Sequence, residues 1–114
     1  MKILHYTDLE ASPVTQEEAE GVTVRWLIAK EDGAPNFAMR LFEVEPGGNT
    51  PLHTHDWEHE VYILDGNGVV WKEGNDVAIG PGTTLFVPPG EKHCFKNVGE
   101  EVLRFLCLIP NSAT

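Results

Sequence analysis

The stretch that decides the fold reads "GGNTPLHTHDWEHEVYILDG" and spans residues 47–66. Three of the chain's five histidines, His53, His55 and His59, fall inside it within seven positions. Side chains alternate along an extended strand, so His53 and His55 share one face, and His59 can return to that face after a bend at Asp56 and Trp57. Imidazole is the commonest protein ligand of divalent transition metals. The spacing therefore favours a metal site over a solvated surface cluster or hydrogen-bonded core histidines.

A second stretch, "GTTLFVPPGEKHCFKN" at residues 82–97, supplies the fourth candidate ligand, His93. The turn "PPGEK" that precedes it can bring the following strand across the same end of the structure. Four imidazoles form a neutral donor set and leave two positions of an octahedral ion open. Such a set suits Mn, Fe, Co, Ni, Cu or Zn better than Ca or Mg.

The chain from residue 22 onward consists of short runs rich in Val, Ile, Leu, Phe, Tyr and Trp. Glycine, proline, asparagine and aspartate separate the runs at intervals of about ten residues, which is typical of an all-β sandwich or barrel. We expect no helix, and we expect residues 1–21 to form an N-terminal arm with one short strand at 2–6. The expected strands are 22–29, 36–45, 60–66, 68–74, 83–89, 93–99 and 101–110.

The composition limits which binding partners and which cellular location we expect. The 114 residues suit one domain, and 18 acidic against eight basic residues give a net charge of −10. Phosphate binding needs clustered Lys and Arg, so nucleic acids and anionic membranes are excluded as partners. Cys94 and Cys107 lack zinc-type spacing and are expected to be reduced thiols. Because the sequence shows neither a signal-peptide pattern nor an apolar run long enough to span a membrane, we expect a cytoplasmic protein.

The two stretches together resemble the paired motifs of the cupin superfamily. The first reads G-x5-H-x-H-x3-H-x6-G from Gly47 to Gly66, and the second reads G-x5-P-x-G-x2-H-x3-N from Gly82 to Asn97. The resemblance implies one cupin domain over residues 1–114. It also implies that residues 22–110 form a jelly-roll β-barrel (a double-stranded β-helix). The implied metal ligands are His53, His55, His59 and His93.

One position departs from the usual first motif, which has a glutamate ligand where this chain has His59. Glu60 follows directly, but the count to Gly66 fits His59, and Glu60 would point to the opposite face of the strand. The four-histidine variant is similar to a narrower group of small single-domain cupins. That similarity implies a homodimer, a small-molecule substrate and one divalent metal per chain, with manganese favoured over Fe, Ni, Cu, Co and Zn.

The last strand, "VLRFLCLIP", alternates so that Phe105, Cys107 and Ile109 share one face with Leu103. With Arg104 on the other face, this face is the better candidate for the barrel interior. The resemblance places these residues near the metal, together with Trp57, Phe95 and Arg40, a charged residue inside the apolar run at 36–45. Trp26 and Trp71 are expected in the core or in dimer contacts, and Tyr62 is expected in the core.

For three of these pocket residues, the sequence allows two different roles. Arg40 is either an anchor for a carboxylate, a peroxide or another anionic group, or a structural ion pair with one of the many acids. Trp57 either caps the site or packs. Cys107 is either oxidised beside a redox metal or packed as a small apolar residue, and packing is favoured because free cysteine is commonly buried.

Three function classes fit this sequence. A metal-dependent oxidoreductase of dioxygenase type is favoured, because no residue other than the ligands is a persuasive general base. A metal Lewis-acid isomerase, epimerase or lyase would need such a base near the ion. A non-enzymatic barrel that binds a metal or a small ligand is the third class, although no DNA-binding helix-turn-helix is present to report on binding.

Overall fold

The computed structural model describes residues 1–114 and contains nine β-strands, which confirms the all-β class. The only helical segments are three single turns of 3-10 helix at Tyr6–Asp8, Lys30–Asp32 and Asn111–Ala113, and none could cross a membrane. The strands are β1 (Ser12–Pro13), β2 (Glu20–Ile28), β3 (Phe37–Asn49), β4 (His59–Asp65), β5 (Gly68–Lys72), β6 (Asn75–Ile79), β7 (Thr84–Val87), β8 (Cys94–Asn97) and β9 (Leu103–Pro110).

Three segments differ from the expected strands, and one of them is the two-residue strand β1, which was not expected. The strand expected at 2–6 is wrong: His5 and Asp8 instead exchange side-chain and backbone hydrogen bonds across a 3-10 turn that begins at Tyr6. Such local bonds compete with strand pairing. The strand β6 was not expected, since four of its five residues are exposed and leave no apolar run. It forms because it pairs with β5 along its whole length.

The strands form one curled sheet in the order β6-β5-β8-β3-β9-β4-β7. Outside this order, β2 pairs with β3 and β1 pairs with β2. The thirteen-residue β3 is the longest strand. It pairs with β9 over Phe37–Val44 and with β8 at Asn49, so it belongs to both halves of the curled sheet. This curvature wraps the sheet around an interior, and the end strands β6 and β7 do not pair with each other.

Alternation along the strands decides which side chains enter that interior. Leu103, Phe105, Cys107 and Ile109 of β9 are all at most 3% exposed, as the sequence predicts. On β4 the buried residues are those at odd positions from His59 to Ile63. Glu60 is exposed, as expected, but Tyr62 lies on the same outer face at 46% exposure, so its expected core position is wrong.

Two residues of the matched motifs have structural roles of their own. The Asn97 side chain is 2% exposed, donates to the Val44 and Glu101 carbonyls at 2.8 and 2.7 Å, and accepts from the Gly99 N–H at 2.9 Å. Gly66 has φ of +85°, and a Cβ there would lie 2.5 Å from the Val102 carbonyl oxygen. Both residues hold the loop before β9 against the barrel.

Candidate metal centre

The two histidine motifs meet through the backbone. His53 and His93 form an isolated antiparallel bridge in which each N–H donates to the carbonyl of the other, at 3.3 and 3.1 Å. The turn before His93 is tied to the first motif as well, since the Gly90 N–H donates to the His55 carbonyl at 2.7 Å. Main-chain hydrogen bonds therefore fix the relative positions of His53, His55 and His93.

Three imidazoles converge at this bridge. Ring nitrogens of His53, His55 and His93 all lie within 4.8 Å of one another. The Nε2 atoms of His53 and His55 are 3.0 Å apart. Two neighbouring donors about 2.1 Å from one ion, at right angles to each other, are separated by about 3 Å, so this spacing fits a shared divalent ion. These three residues could hold the metal that the sequence predicts.

The fourth expected ligand, His59, lies beside this group without belonging to it. Its ring centroid is 4.9 Å from that of His93 and 5.1 Å from that of His55. Its Nδ1 is 3.2 Å from Cys107 Sγ, and its buried Nε2 has no hydrogen-bond partner. The four-histidine set is therefore not confirmed, and His59 stays a predicted ligand whose free Nε2 suits that role.

Neighbouring groups orient two of the converging rings. His93 Nδ1 is 3.0 Å from the Glu91 carbonyl oxygen, which can only accept, so Nδ1 carries the proton and Nε2 keeps its lone pair. The Trp57 ring stacks on His55 with 4.4 Å between centroids and 10° between planes. Both contacts restrict the rings to the orientations seen in the cluster.

Three of the cavity histidines, His53, His55 and His59, are held in the neutral form that metal binding requires. Burial lowers the pKa of His55 to about 4 and that of His59 to about 3, and the charges of neighbouring histidines and Arg40 act in the same direction. Burial also lowers the pKa of His53. Their lone pairs are therefore free at neutral pH.

The histidines line a cavity of about 300 Å³, and ten of its eighteen lining residues are hydrophobic. None of the eighteen is an aspartate or a glutamate. All of the site residues expected from the sequence lie in this wall: Arg40, His53, His55, Trp57, His59, His93, Phe95, Phe105, Cys107 and Ile109.

Arg40 enters the cavity wall without a carboxylate partner. Its guanidinium lies 5.4 Å from the Trp26 ring centroid and 4.8 Å from that of Phe42, and its Nη2 donates to Cys107 Sγ at 3.1 Å. Glu43, on the opposite face of β3, pairs with Arg25 and Arg104 instead. The structural ion pair considered for Arg40 is therefore wrong.

Cys107 links two of these groups. Its sulfur lies within hydrogen-bond distance of both Arg40 Nη2 and His59 Nδ1. The residue is 3% exposed, and burial raises the pKa of its thiol. Cys107 and Cys94 are both free, as expected. Cys107 is thus packed and also holds the ring of His59.

The sequence analysis did not predict several residues that line the cavity. Phe42 could have been found, because it lies two residues after Arg40 and shares its face of the strand. Trp26 could not, since its place opposite Arg40 depends on the register between β2 and β3. Val14, Gln16 and Ala113 come from the two ends of the chain and carry no motif.

Comparisons with known proteins agree with this geometry. The family model described as "Cupin domain" matches residues 40–109. An oxalate-binding protein from Thermotoga maritima is 39% identical over 92 residues, which are 77% of this chain and 74% of that protein. A 1-methylthio-D-xylulose 5-phosphate methylsulfurylase from Rhodospirillum rubrum is 35% identical over 71 residues, which cover 62% of this chain and 46% of that protein.

Among solved structures, the polyketide cyclase RemF from Streptomyces resistomycificus is similar with a TM-score of 0.93 and 41% identity, over 97% of this chain and 80% of that one. The chain belongs to the cupin family, and its all-β fold is the fold of that family. The relatives bear different names, so family membership does not by itself assign a reaction.

Removing a converging imidazole tests the centre. We expect His53→Ala to weaken Co²⁺ binding more than about 100-fold, which exceeds the usual cost of losing an outer-shell partner. His59→Ala should weaken it as well if His59 is a ligand. Titration calorimetry and the visible absorption of bound Co²⁺ measure both effects. The matched control is His5→Ala, outside the cavity, and equal Co²⁺ affinity in His53→Ala and His5→Ala would disprove the centre.

The lowered histidine pKa values predict a pH dependence for the metal-free protein. His59 binds a proton near pH 6.5 when unfolded but only near pH 3 when folded, so acid favours the unfolded chain. Stability should be lost progressively below pH 6.5, by about 1–2 kcal/mol from His59 by pH 5. Urea unfolding at pH 7, 6 and 5 measures it. His59→Gln should flatten the slope, and identical slopes in both proteins would contradict this assignment.

Proposed function

We propose that this cupin is a metal-dependent enzyme that acts on a small organic molecule bound in the cavity beside one divalent transition ion. The observation that supports it is the convergence of three imidazoles, with nitrogens within 4.8 Å of one another, in the wall of a largely apolar cavity. We keep His59 as the proposed fourth ligand. Manganese is the favoured ion by resemblance, and Fe, Co, Ni, Cu and Zn suit the same nitrogen donors.

In this proposal, some residues of the cavity hold the ion and others orient the substrate. A bound divalent ion supplies Lewis acidity toward an oxygen of the substrate. His53, His55 and His93 hold that ion, and because none of these ligands is a carboxylate, they do not cancel its positive charge. Aromatic side chains such as Phe95 and Phe105 exclude water and orient an apolar substrate body.

The first candidate reaction is redox-neutral rearrangement of a carbonyl compound, within the isomerase, lyase or cyclase class. It is supported by the 41% identity to a polyketide cyclase over 97% of this chain. A cavity without carboxylates favours this chemistry in one respect, because negative charge that develops on a substrate oxygen meets no repelling group.

The second candidate is the oxidoreductase of dioxygenase type that the sequence favours. The same lack of aspartate and glutamate supports it, because the cavity offers no strong general base for proton transfer. A barrel that only binds its ligand is the third candidate, and similarity to an oxalate-binding protein supports it.

Turnover with and without oxygen separates these candidates. Metal-loaded protein is incubated with β-diketones, catechols and short polyketide-like β-polyketones, and products are followed by mass spectrometry. We expect β-polyketone conversion at the same rate in air and under argon, and none in His53→Ala. Conversion that needs oxygen and consumes it would favour the oxidoreductase. Saturable binding without conversion of any compound would favour the binding barrel.

A further inference from the structure

The cavity contains a positive charge that no group of the protein neutralises. Arg40 lines it, and none of the chain's 18 acidic residues does. The flanking Trp26 and Phe42 rings offer cation–π contact, which stabilises a cation without cancelling its charge. A partly buried cation without an anionic partner is energetically unfavourable, so an anionic ligand would gain more here than at the surface.

Unpaired hydrogen-bonding atoms concentrate at the same place. Four buried side-chain nitrogens or oxygens in the chain have no partner, and three of them belong to residues of this cavity: Arg40 Nε, Trp57 Nε1 and His59 Nε2. The first two are donors only. Buried donors are nearly always paired in folded proteins, so two unpaired donors in one cavity wall indicate missing acceptor atoms.

The two donor side chains lie by different histidines of the cavity. Trp57 stacks on His55, with 4.4 Å between ring centroids. Arg40 Nη2 reaches Cys107 Sγ at 3.1 Å, and that sulfur lies 3.2 Å from His59 Nδ1. A ligand that lies beside His55 and His59 therefore has a donor side chain close to each of these histidines.

We propose that this cavity binds a planar organic monoanion, a carboxylate or an enolate, with an apolar body. The Arg40 guanidinium holds the anionic oxygen, Trp57 Nε1 donates to a second oxygen, and the body packs against Phe95 and Phe105. The proposal specifies the substrate class of the proposed enzyme and rests on it only in placing substrate and ion in one cavity. Arg40 and Trp57 can bind an anion without the metal.

The size and polarity of the cavity argue against other anions. A phosphate dianion presents more oxygens than two donor side chains can satisfy. A molecule as small as oxalate would leave most of a cavity of about 300 Å³ unfilled and its hydrophobic walls uncovered. A flat ring that carries one carboxylate matches the single cation and the aromatic walls.

Salicylate and its neutral amide, salicylamide, test this proposal. Calorimetry is run on zinc-loaded and metal-free protein, for wild type, Arg40→Met, Trp57→Phe and the surface-charge control Lys72→Met. We expect salicylate to bind at least about tenfold tighter than salicylamide in both forms, since one charge-assisted hydrogen bond is worth about that much. Arg40→Met should remove this preference and leave salicylamide binding within about twofold.

Trp57→Phe keeps an aromatic ring beside His55 but removes the N–H and makes the ring smaller. It should weaken salicylate binding about three- to tenfold. Lys72→Met should change nothing, and circular dichroism verifies that each variant folds. Equal affinity for salicylate and salicylamide, equal losses of both in Arg40→Met, or no saturable salicylate binding would each overturn the proposal.

The metal-free measurements separate this proposal from the proposed function. If salicylate is preferred without metal while the protein fails to bind zinc stoichiometrically, the anion site stands and the metal-dependent enzyme fails. If zinc binds and salicylate shows no preference over its amide, the enzyme stands and the anion site fails. Oxalate serves as a comparison, and we expect it to bind only to the zinc-loaded form.

Discussion

The backbone bridge between His53 and His93 is the constraint on which the rest of the site depends. Two reciprocal hydrogen bonds join positions forty residues apart and place both side chains on the same end of the barrel. The bond from Gly90 to the His55 carbonyl extends the constraint to the third imidazole. Ligand geometry is therefore set by main-chain pairing, which is more rigid than side-chain packing alone.

Burial gives the site its electrostatic character. A chain with a net charge of −10 encloses a cavity that Arg40 lines without any carboxylate, and where burial lowers the pKa of His53, His55 and His59. Such an interior costs stability when it is empty, because polar groups are desolvated without full compensation. A cation held by the imidazoles and an anion beside Arg40 would each offset part of that cost and stabilise the folded chain.

The sequence was enough to predict the all-β fold, from the spacing of the apolar runs, and the convergence of His53, His55 and His93, from strand alternation, the turn before His93 and the paired motifs. Alternation also placed Cys107 inside the barrel. The contacts of Cys107 with His59 and Arg40 were beyond the sequence, because they depend on the register of β9 against β3 and β4. An aromatic residue in an apolar run suggests a core position for Tyr62. Its position in β4 instead puts its side chain on the outer face of the sheet.

The most direct test of the metal centre is X-ray absorption spectroscopy of the protein loaded with one equivalent of Zn²⁺ or Mn²⁺. Our account predicts at least three nitrogen scatterers with the outer-shell pattern of imidazole, at about 2.0–2.1 Å for Zn²⁺, and no sulfur. With His59 as a ligand, the number of imidazoles would be four. A sulfur scatterer at about 2.3 Å would make Cys107 a ligand, and a shell of oxygens alone would place the ion elsewhere; either result would contradict a neutral imidazole centre.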